Sequence, residues 1–156
     1  MLKDDQNLIH LKAKVESAKN KNSLVGFTNG CFDLLHDGHK HLLINASKMC
    51  DFLIVGLNSN KSVKILKGLN RPIQDVDLRL KNLNNLPYVD EVVVFEEETP
   101  EILIMNIMPD VIIKGADYEN KKVVGETIIK SNGGIVKLVS LIPGVSTSNI
   151  IRERNL

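Results

Sequence analysis

The chain has few cysteines and lacks the motifs of several common enzyme classes. Its two cysteines, Cys31 and Cys50, form no Cys-x-x-Cys pattern. This gives no zinc framework and predicts two reduced thiols. No Gly-x-Gly-x-x-Gly segment follows an apolar run, which disfavours a dehydrogenase, and no Gly-x-x-x-x-Gly-Lys-Ser/Thr segment occurs, which disfavours a P-loop NTPase.

The chain also lacks a strong charge of either sign and a long apolar run. Twenty basic residues face 19 acidic ones, so the net charge of +1 favours neither nucleic acid nor an anionic membrane as a partner. The N-terminal residues are polar, and no apolar stretch has membrane length, so we expect a cytoplasmic protein without a signal peptide. At 156 residues we expect one domain, with an N-terminal helix in residues 1–22 and a core in residues 24–152.

Residues 28–39 form the most informative segment, with the sequence Thr-Asn-Gly-Cys-Phe-Asp-Leu-Leu-His-Asp-Gly-His. It follows the apolar run 24–27, and a helix beginning near Asp37 would have His36 and His39 at its N-terminus. The free N–H groups and positive end of a helix attract phosphate, and imidazoles there can donate hydrogen bonds to phosphoryl oxygens. Two histidines on one helical turn are also typical of a metal pair or a solvated surface pair, so the spacing alone leaves these alternatives open.

Hydrophobic periodicity predicts strands that alternate with helices. Five strands separated by helices predict an α/β fold with a parallel sheet and right-handed crossovers, although the pattern does not order the strands. The predicted strands are residues 24–28, 52–57, 91–95, 111–114 and 135–139. The predicted helices are residues 5–20, 38–50, 59–67, 75–86, a helix capped by Thr99 and ending near 108, 123–131, and a last helix capped by Ser146 or Thr147 that runs through 151.

Further motifs follow at characteristic spacing: Leu66-Lys67-Gly68, Arg71-Pro72, Phe95 to Pro100, Lys114-Gly115-Ala116-Asp117-Tyr118 and Ser146-Thr147-Ser148. Together with residues 28–39, this set resembles the HxGH nucleotidyltransferase superfamily, which includes the cytidylyltransferases and adenylyltransferases. In order and spacing the set is most similar to the bacterial heptose 1-phosphate adenylyltransferases. These occur alone or as the C-terminal half of a kinase–transferase fusion.

The resemblance implies a Rossmann-like, doubly wound sheet of order 3-2-1-4-5 with helices on both faces. Ligands in such sheets bind beyond the carboxyl ends of the strands, here between the first and fourth strands. It also implies transfer of a nucleotide, most simply from ATP, to a sugar 1-phosphate with release of pyrophosphate. Mg²⁺ would arrive with the triphosphate without a dedicated protein site, and a homodimer is expected.

The resemblance also assigns roles to individual residues. The catalytic residues would be His36, His39 and Lys67, and the residues that bind the substrate phosphate would be Asp33, Lys64, Arg71 and Arg79. The nucleotide-binding residues would be Thr28, Asn29, Gly30, Cys31, Phe32, Gly38, Lys114, Gly115, Asp117, Ser146, Thr147 and Ser148.

Several of these assignments have structural alternatives. Asp33 is equally suited to bracing the turn, and Arg71 and Arg79 to surface ion pairs. The hydroxyl groups of residues 146–148 could serve only as helix caps. Ala116 replaces the glycine that is usual in the family, and it would be strained if this position requires a positive φ.

Two other functions remain open at this stage. One is a cytidylyltransferase acting on glycerol 3-phosphate, and the other is a nucleotide-binding regulatory subunit without catalysis. The presence of both histidines and Lys67 argues against the second. We interpret Glu96–Glu98 as a solvated loop, and His10 and His41 as surface or packing residues.

Overall fold

The computed structural model describes residues 5–156, in which five strands alternate with helices. The strands are β1 (Val25–Gly30), β2 (Phe52–Asn58), β3 (Glu91–Phe95), β4 (Val111–Gly115) and β5 (Ile135–Val139). The helices are α1 (Asp5–Asn20), α2 (Asp37–Ser47), α3 (Asn60–Lys67), α4 (Val76–Asn84), α5 (Glu101–Ile107), α6 (Glu126–Lys130) and α7 (Thr147–Arg154), with a 3₁₀ turn at Ala116–Tyr118.

All five strands are parallel and lie in the order β3-β2-β1-β4-β5, which confirms the predicted topology. β1 is central: Val25 pairs with Phe52 of β2, and Gly26 pairs with Val111 of β4. The first half of the fold adds β2 and β3 on one side of β1, and the second half adds β4 and β5 on the other side. A crevice therefore opens beyond the carboxyl ends of β1 and β4, where α/β sheets bind ligands.

Alternating side chains of the strands fill two separate cores, one on each face of the sheet. On one face Phe27 and Ile54 pack with residues of α1 and α5, such as Leu11 and Ile104. The opposite core contains ten buried residues from the strands, the turn after β1, α2 and α4: Phe32, Leu43, Ala46, Leu53, Val55, Leu57, Leu83, Val111, Ile113 and Val139. Because both of its faces are covered, β2 is almost continuously apolar, as its sequence indicated.

Four predicted helix boundaries were wrong. Thr99 does not cap α5: Pro100 occupies the cap position without a side-chain hydrogen bond, and the helix begins at Glu101. α6 begins at Glu126 because Gly125 adopts a left-handed conformation (φ +84°), which a continuing helix excludes. α2 ends at Ser47, and α4 ends at Asn84 before the predicted end at 86.

The N-terminal helix is confirmed over residues 5–20. In the remainder of its predicted segment 1–22, residues 21–22 form a turn and residues 1–4 lie outside the described residues. Within residues 5–156 no helix is both long and apolar enough to cross a bilayer.

Candidate active site

The N-terminus of α2 is capped by two histidine side chains. Nδ1 of His36, the N-cap residue, accepts hydrogen bonds from the backbone N–H groups of Gly38 (3.1 Å) and His39 (3.3 Å). In return, Nδ1 of His39 accepts from the backbone N–H of His36 at 3.4 Å. The two rings stack, with centroids 3.7 Å apart and planes 16° from parallel. This is a capping box in which imidazoles replace the usual hydroxyl and carboxylate groups.

This arrangement fixes the tautomer of both rings. A neutral imidazole carries one proton, and a nitrogen that accepts a hydrogen bond cannot carry it. Since both Nδ1 atoms accept from the backbone, both Nε2 atoms carry the proton and are donors. The helix therefore presents two Nε2–H groups at its positive end, where an anion is stabilised.

Both histidines are neutral near pH 7. Burial lowers the pKa of His39 from its ordinary value of 6.5 to about 3, and the nearby His36 lowers it further. Burial also lowers the pKa of His36, against an opposing contribution from Asp37. The pair therefore acts on a ligand as hydrogen-bond donors rather than as imidazolium cations.

Gly38 is required where it stands because the His36 ring folds back over it. A Cβ built on Gly38 would lie 2.9 Å from Cε1 and 3.0 Å from Nδ1 of His36. The preceding turn holds two non-glycine residues at positive φ, Phe32 (+47°) and Leu34 (+55°), a conformation that carries strain. Phe32 is buried, and its ring packs edge-on against His39 with a centroid separation of 5.2 Å. The strained turn thus positions the second histidine.

Asp33 braces the turn, which is the structural alternative left open by the sequence. Its side chain is almost completely buried. Oδ2 accepts from Nε of Arg71 at 2.9 Å and from the backbone N–H of Ile73 at 2.8 Å, and Oδ1 accepts from the backbone N–H of Gln74 at 2.9 Å. Its backbone carbonyl accepts from Oγ1 of Thr147 at 2.9 Å, which ties α7 to the same turn. Asp33 therefore places Arg71 at the cleft.

Arg79, which was assigned to the substrate phosphate with a surface ion pair as the alternative, is completely buried beneath the site and so forms no surface ion pair. Its Nη1 donates to the carbonyl oxygens of Cys31 (2.8 Å) and Asn58 (2.7 Å), its Nε donates to that of Gln74 (2.9 Å), and its Nη2 donates to Oδ1 of Asn60 (2.9 Å). These bonds join the turn after β1, the end of β2 and the start of α4. Arg79 holds the floor of the cleft together and does not line it.

Lys114 lies at the end of β4 and is nearly buried. Its Nζ donates to Oδ1 of Asn29 and, at 3.4 Å, to the carbonyl oxygen of the same residue. Its ammonium group also lies 5.2 Å from the ring centroid of Tyr118. Burial lowers the pKa of Lys114 to about 8, although the neighbouring Asp117 raises it. The alanine at 116 is not strained, because it lies in the 3₁₀ turn and not at positive φ.

The cleft beyond the strand ends has two connected compartments. One, of about 430 Å³, lies at the ends of β4 and β5 and is bounded by residues 139–146. The other, of about 700 Å³, extends toward β2 and β3 and contains Lys67 and Arg71. The compartments share nine residues: Asn29, His36, His39, Lys114, Asp117, Tyr118, Leu141, Val145 and Ser146. The histidine pair and Lys114 thus lie where the two spaces meet.

Most of the predicted site residues line this cleft. They are Asn29, Gly30, Cys31, Phe32, Asp33, His36, Gly38, His39, Lys67, Arg71, Lys114, Gly115, Asp117, Ser146, Thr147 and Ser148. Three others do not line it. Thr28 is completely buried within β1, and its hydroxyl has no hydrogen-bond partner among the described residues. Arg79 lies under the floor, and Lys64 lies on the exposed face of α3.

Sequence reasoning missed several residues that line the cleft. Glu98 and Thr99 lie at the rim of the larger compartment, although the acidic run was interpreted only as a solvated loop. His41 and Leu141 line the smaller compartment. One sequence signal could have indicated that Glu98 lies at the cleft: it follows the carboxyl end of a predicted strand, and this edge of a parallel sheet binds ligands.

The parallel sheet thus places a histidine-capped helix and basic side chains beyond the ends of its strands. The chain belongs to the cytidylyltransferase-like family, whose model matches residues 27–153. It is 53% identical to Bifunctional protein HldE of Rhodopseudomonas palustris (strain BisB18) over 81% of this chain and 26% of that protein. It is 50% identical to Bifunctional protein HldE of Paramagnetospirillum magneticum over 90% of this chain and 29% of that protein. The chain thus spans between a quarter and a third of these relatives.

Solved structures show the same fold. The lipopolysaccharide core biosynthesis protein of Thermoplasma volcanium is 29% identical, with a TM-score of 0.61 over 77% of this chain and 97% of that one. The pantoate-beta-alanine ligase of Francisella tularensis matches 93% of this chain and 71% of that protein with a TM-score of 0.58. At 18% identity, the second likeness concerns the fold alone.

Proposed function

We propose that this protein transfers the nucleoside monophosphate of a nucleoside triphosphate, most simply ATP, to a sugar 1-phosphate and releases pyrophosphate. The sugar is a heptose, and the product is an activated precursor for surface glycans. The observation that carries the proposal is the pair of neutral histidines on α2, whose Nε2–H groups lie where the two compartments of the cleft meet. The similarity of this chain to the HldE proteins supports the choice of a heptose phosphate as the substrate.

Catalysis of this nucleotidyl transfer requires mainly that the protein position the substrates and stabilise the developing charge. A phosphate oxygen of the sugar phosphate attacks the α-phosphorus of the triphosphate. The bond between the α-phosphorus and the oxygen that bridges it to the β-phosphorus breaks, and pyrophosphate leaves. The nucleophile is already an anion, so no side chain must remove a proton. The Nε2–H groups of His36 and His39 donate to the phosphoryl oxygens as negative charge moves toward the leaving group. Lys67 and Arg71 supply fixed positive charge from the larger compartment.

Mg²⁺ fits this site as a companion of the triphosphate. Among the described residues no cluster of three or more histidine, cysteine or acidic side chains is placed to hold a metal ion, and the carboxylate of Asp33 is already engaged by Arg71 and two backbone N–H groups. The basic side chains and N–H donors of the cleft are suited to bind phosphate oxygens rather than a cation. When bound to those oxygens, Mg²⁺ would neutralise charge on the triphosphate.

Measuring pyrophosphate release in the presence of Mg²⁺ tests the proposal. ATP, CTP and GTP are each combined with the two anomers of heptose 1-phosphate and with glycerol 3-phosphate. Release with ATP and one heptose anomer is the expected result. Release only with CTP and glycerol 3-phosphate would overturn the substrate, and His39→Ala with near-normal turnover in a folded protein would overturn the mechanism.

The partners of the reaction are thus a nucleoside triphosphate and a sugar phosphate. Two further expectations stay predictions: that the protein is a homodimer, and that it works in the cytoplasm, where nucleoside triphosphates are available. Equilibrium sedimentation tests the first and cell fractionation the second.

A further inference from the structure

The two ends of the cleft differ in chemistry. The smaller compartment, at β4 and β5, is bounded by Leu141, Ile142 and Pro143 and suits a nucleoside. The larger compartment ends at β2 and β3, where Glu98 and Thr99 stand at its rim. Since the histidine pair lies between the two compartments, a nucleoside in the first places the acceptor in the second. The part of the acceptor that is not phosphate then lies toward the rim at β3.

The segment that carries Glu98 is fixed to the neighbouring helix α3. The carbonyl oxygen of Phe95 accepts from the backbone N–H of Ser59 at 2.9 Å. The carbonyl oxygen of Glu97 accepts a hydrogen bond from Oγ of Ser62 at 2.7 Å. Oγ of Ser62 in turn accepts one from Nδ2 of Asn58 at 2.9 Å. Asn58 and Ser62 are both buried. This network holds the backbone up to Glu97, so the next two residues have a defined position at the cleft.

Glu98 and Thr99 offer donors and acceptors suited to hydroxyl groups rather than to phosphate. A carboxylate only accepts hydrogen bonds, and a sugar hydroxyl donates one, whereas two anions repel. The threonine hydroxyl can donate or accept. Within residues 5–156, the carboxylate of Glu98 forms no hydrogen bond or ion pair and its side chain is exposed. The same compartment contains the cations Lys67 and Arg71, to which the proposed function assigns the binding of phosphate.

We propose that Glu98 and Thr99 bind hydroxyl groups of the acceptor and thereby select a sugar phosphate over other phosphates. This inference rests on the proposed function. Lys67 and Arg71 bind the phosphate of the acceptor, and the rim at β3 recognises its ring. The acidic run before α5 therefore determines specificity as well as linking two elements.

The test compares Glu98→Gln and Thr99→Val with Glu101→Gln, a control at an exposed glutamate of α5 that does not line the cleft. The KM for heptose 1-phosphate, the KM for ATP and kcat are measured by pyrophosphate release. Inorganic phosphate, used as a competitive inhibitor, reports binding of phosphate alone. We expect Glu98→Gln to raise the KM for the sugar phosphate about tenfold, because a charge-assisted hydrogen bond is replaced by a weaker, neutral one. The KM for ATP and the inhibition constant of phosphate should stay within about twofold, since they do not depend on that bond.

The outcomes separate this inference from the proposed function. Unchanged sugar-phosphate KM values in both variants, with an active wild-type protein, would overturn the inference and leave the function intact. A shift in the Mg²⁺ dependence of Glu98→Gln without a change in the sugar-phosphate KM would overturn it too, in favour of a metal contact. A wild-type protein that releases no pyrophosphate with any sugar 1-phosphate would refute both.

Discussion

Substituting His36 separates its two roles, the capping of α2 and the donation of a hydrogen bond to phosphate. His36→Ala removes the acceptor for the backbone N–H groups of Gly38 and His39. Loss of a helix cap costs about 1 kcal/mol, within a range of about 0.5–2. Asparagine is among the best N-cap residues, so His36→Asn should retain most of that stability. Its side chain has no counterpart of Nε2, so it cannot cap the helix and also reach the phosphate.

Both variants should therefore lose turnover while only one loses stability. Removing one positioned donor to a developing oxyanion lowers kcat by about 100-fold or more, and we expect this in His36→Asn and His36→Ala alike. Urea unfolding should show His36→Ala less stable than His36→Asn by about 1 kcal/mol, and its melting temperature should be lower by about 2–4 °C. His10→Asn, an exposed histidine on α1, is the control and should change neither quantity.

Two results would refute this reasoning. If His36→Asn keeps a kcat close to that of the wild-type protein, the imidazole is not a phosphate ligand. If His36→Ala and His36→Asn unfold at the same urea concentration, the two hydrogen bonds to Nδ1 do not stabilise the helix.

The remaining predictions concern pH, the floor of the cleft and the lysines of α3. Because the pKa of His39 is about 3 in the folded protein and 6.5 ordinarily, the unfolded chain binds more protons between these values. The free energy of unfolding should fall as the pH falls through this window, by up to about 1.4 kcal/mol per pH unit, and His39→Gln should reduce that slope in urea titrations. Arg79→Lys should destabilise the protein by about 2–3 kcal/mol, since a single ammonium group cannot satisfy four acceptors on different elements, and a loss below about 0.5 kcal/mol would contradict the buried network. Lys67→Met should lower kcat about tenfold or more whereas Lys64→Met should not, and equal effects would contradict their different positions.

The histidine pair shows how far the sequence predicted the site. The order Gly-x-x-x-x-x-His-x-Gly-His after a strand was enough to predict a helix with two histidines at its N-terminus, because the motif is local. The tautomer of the rings was not predictable. It depends on which nitrogen faces the backbone, and packing by Phe32 and the fold of the turn decide this.

Asp33 and Arg79 show where sequence reasoning fell short. Both are charged residues, and both were assigned to the substrate phosphate. Whether a charged side chain faces a ligand or the protein interior depends on contacts between residues far apart in the sequence, such as Arg79 with Cys31 and Asn58.

The sequence by itself determined the alternation of strands and helices, the His-x-Gly-His motif at the start of α2 and, through family resemblance, the strand order. These follow from local periodicity and from short motifs whose residues are close together in the chain. The tertiary structure alone decided that Glu98 and Thr99 reach the cleft, that Arg79 is buried and that Lys64 is turned away from it. The physical reason is that the packing of α3 and α4 against the sheet sets the direction of each side chain, and the one-dimensional pattern of residues does not contain it.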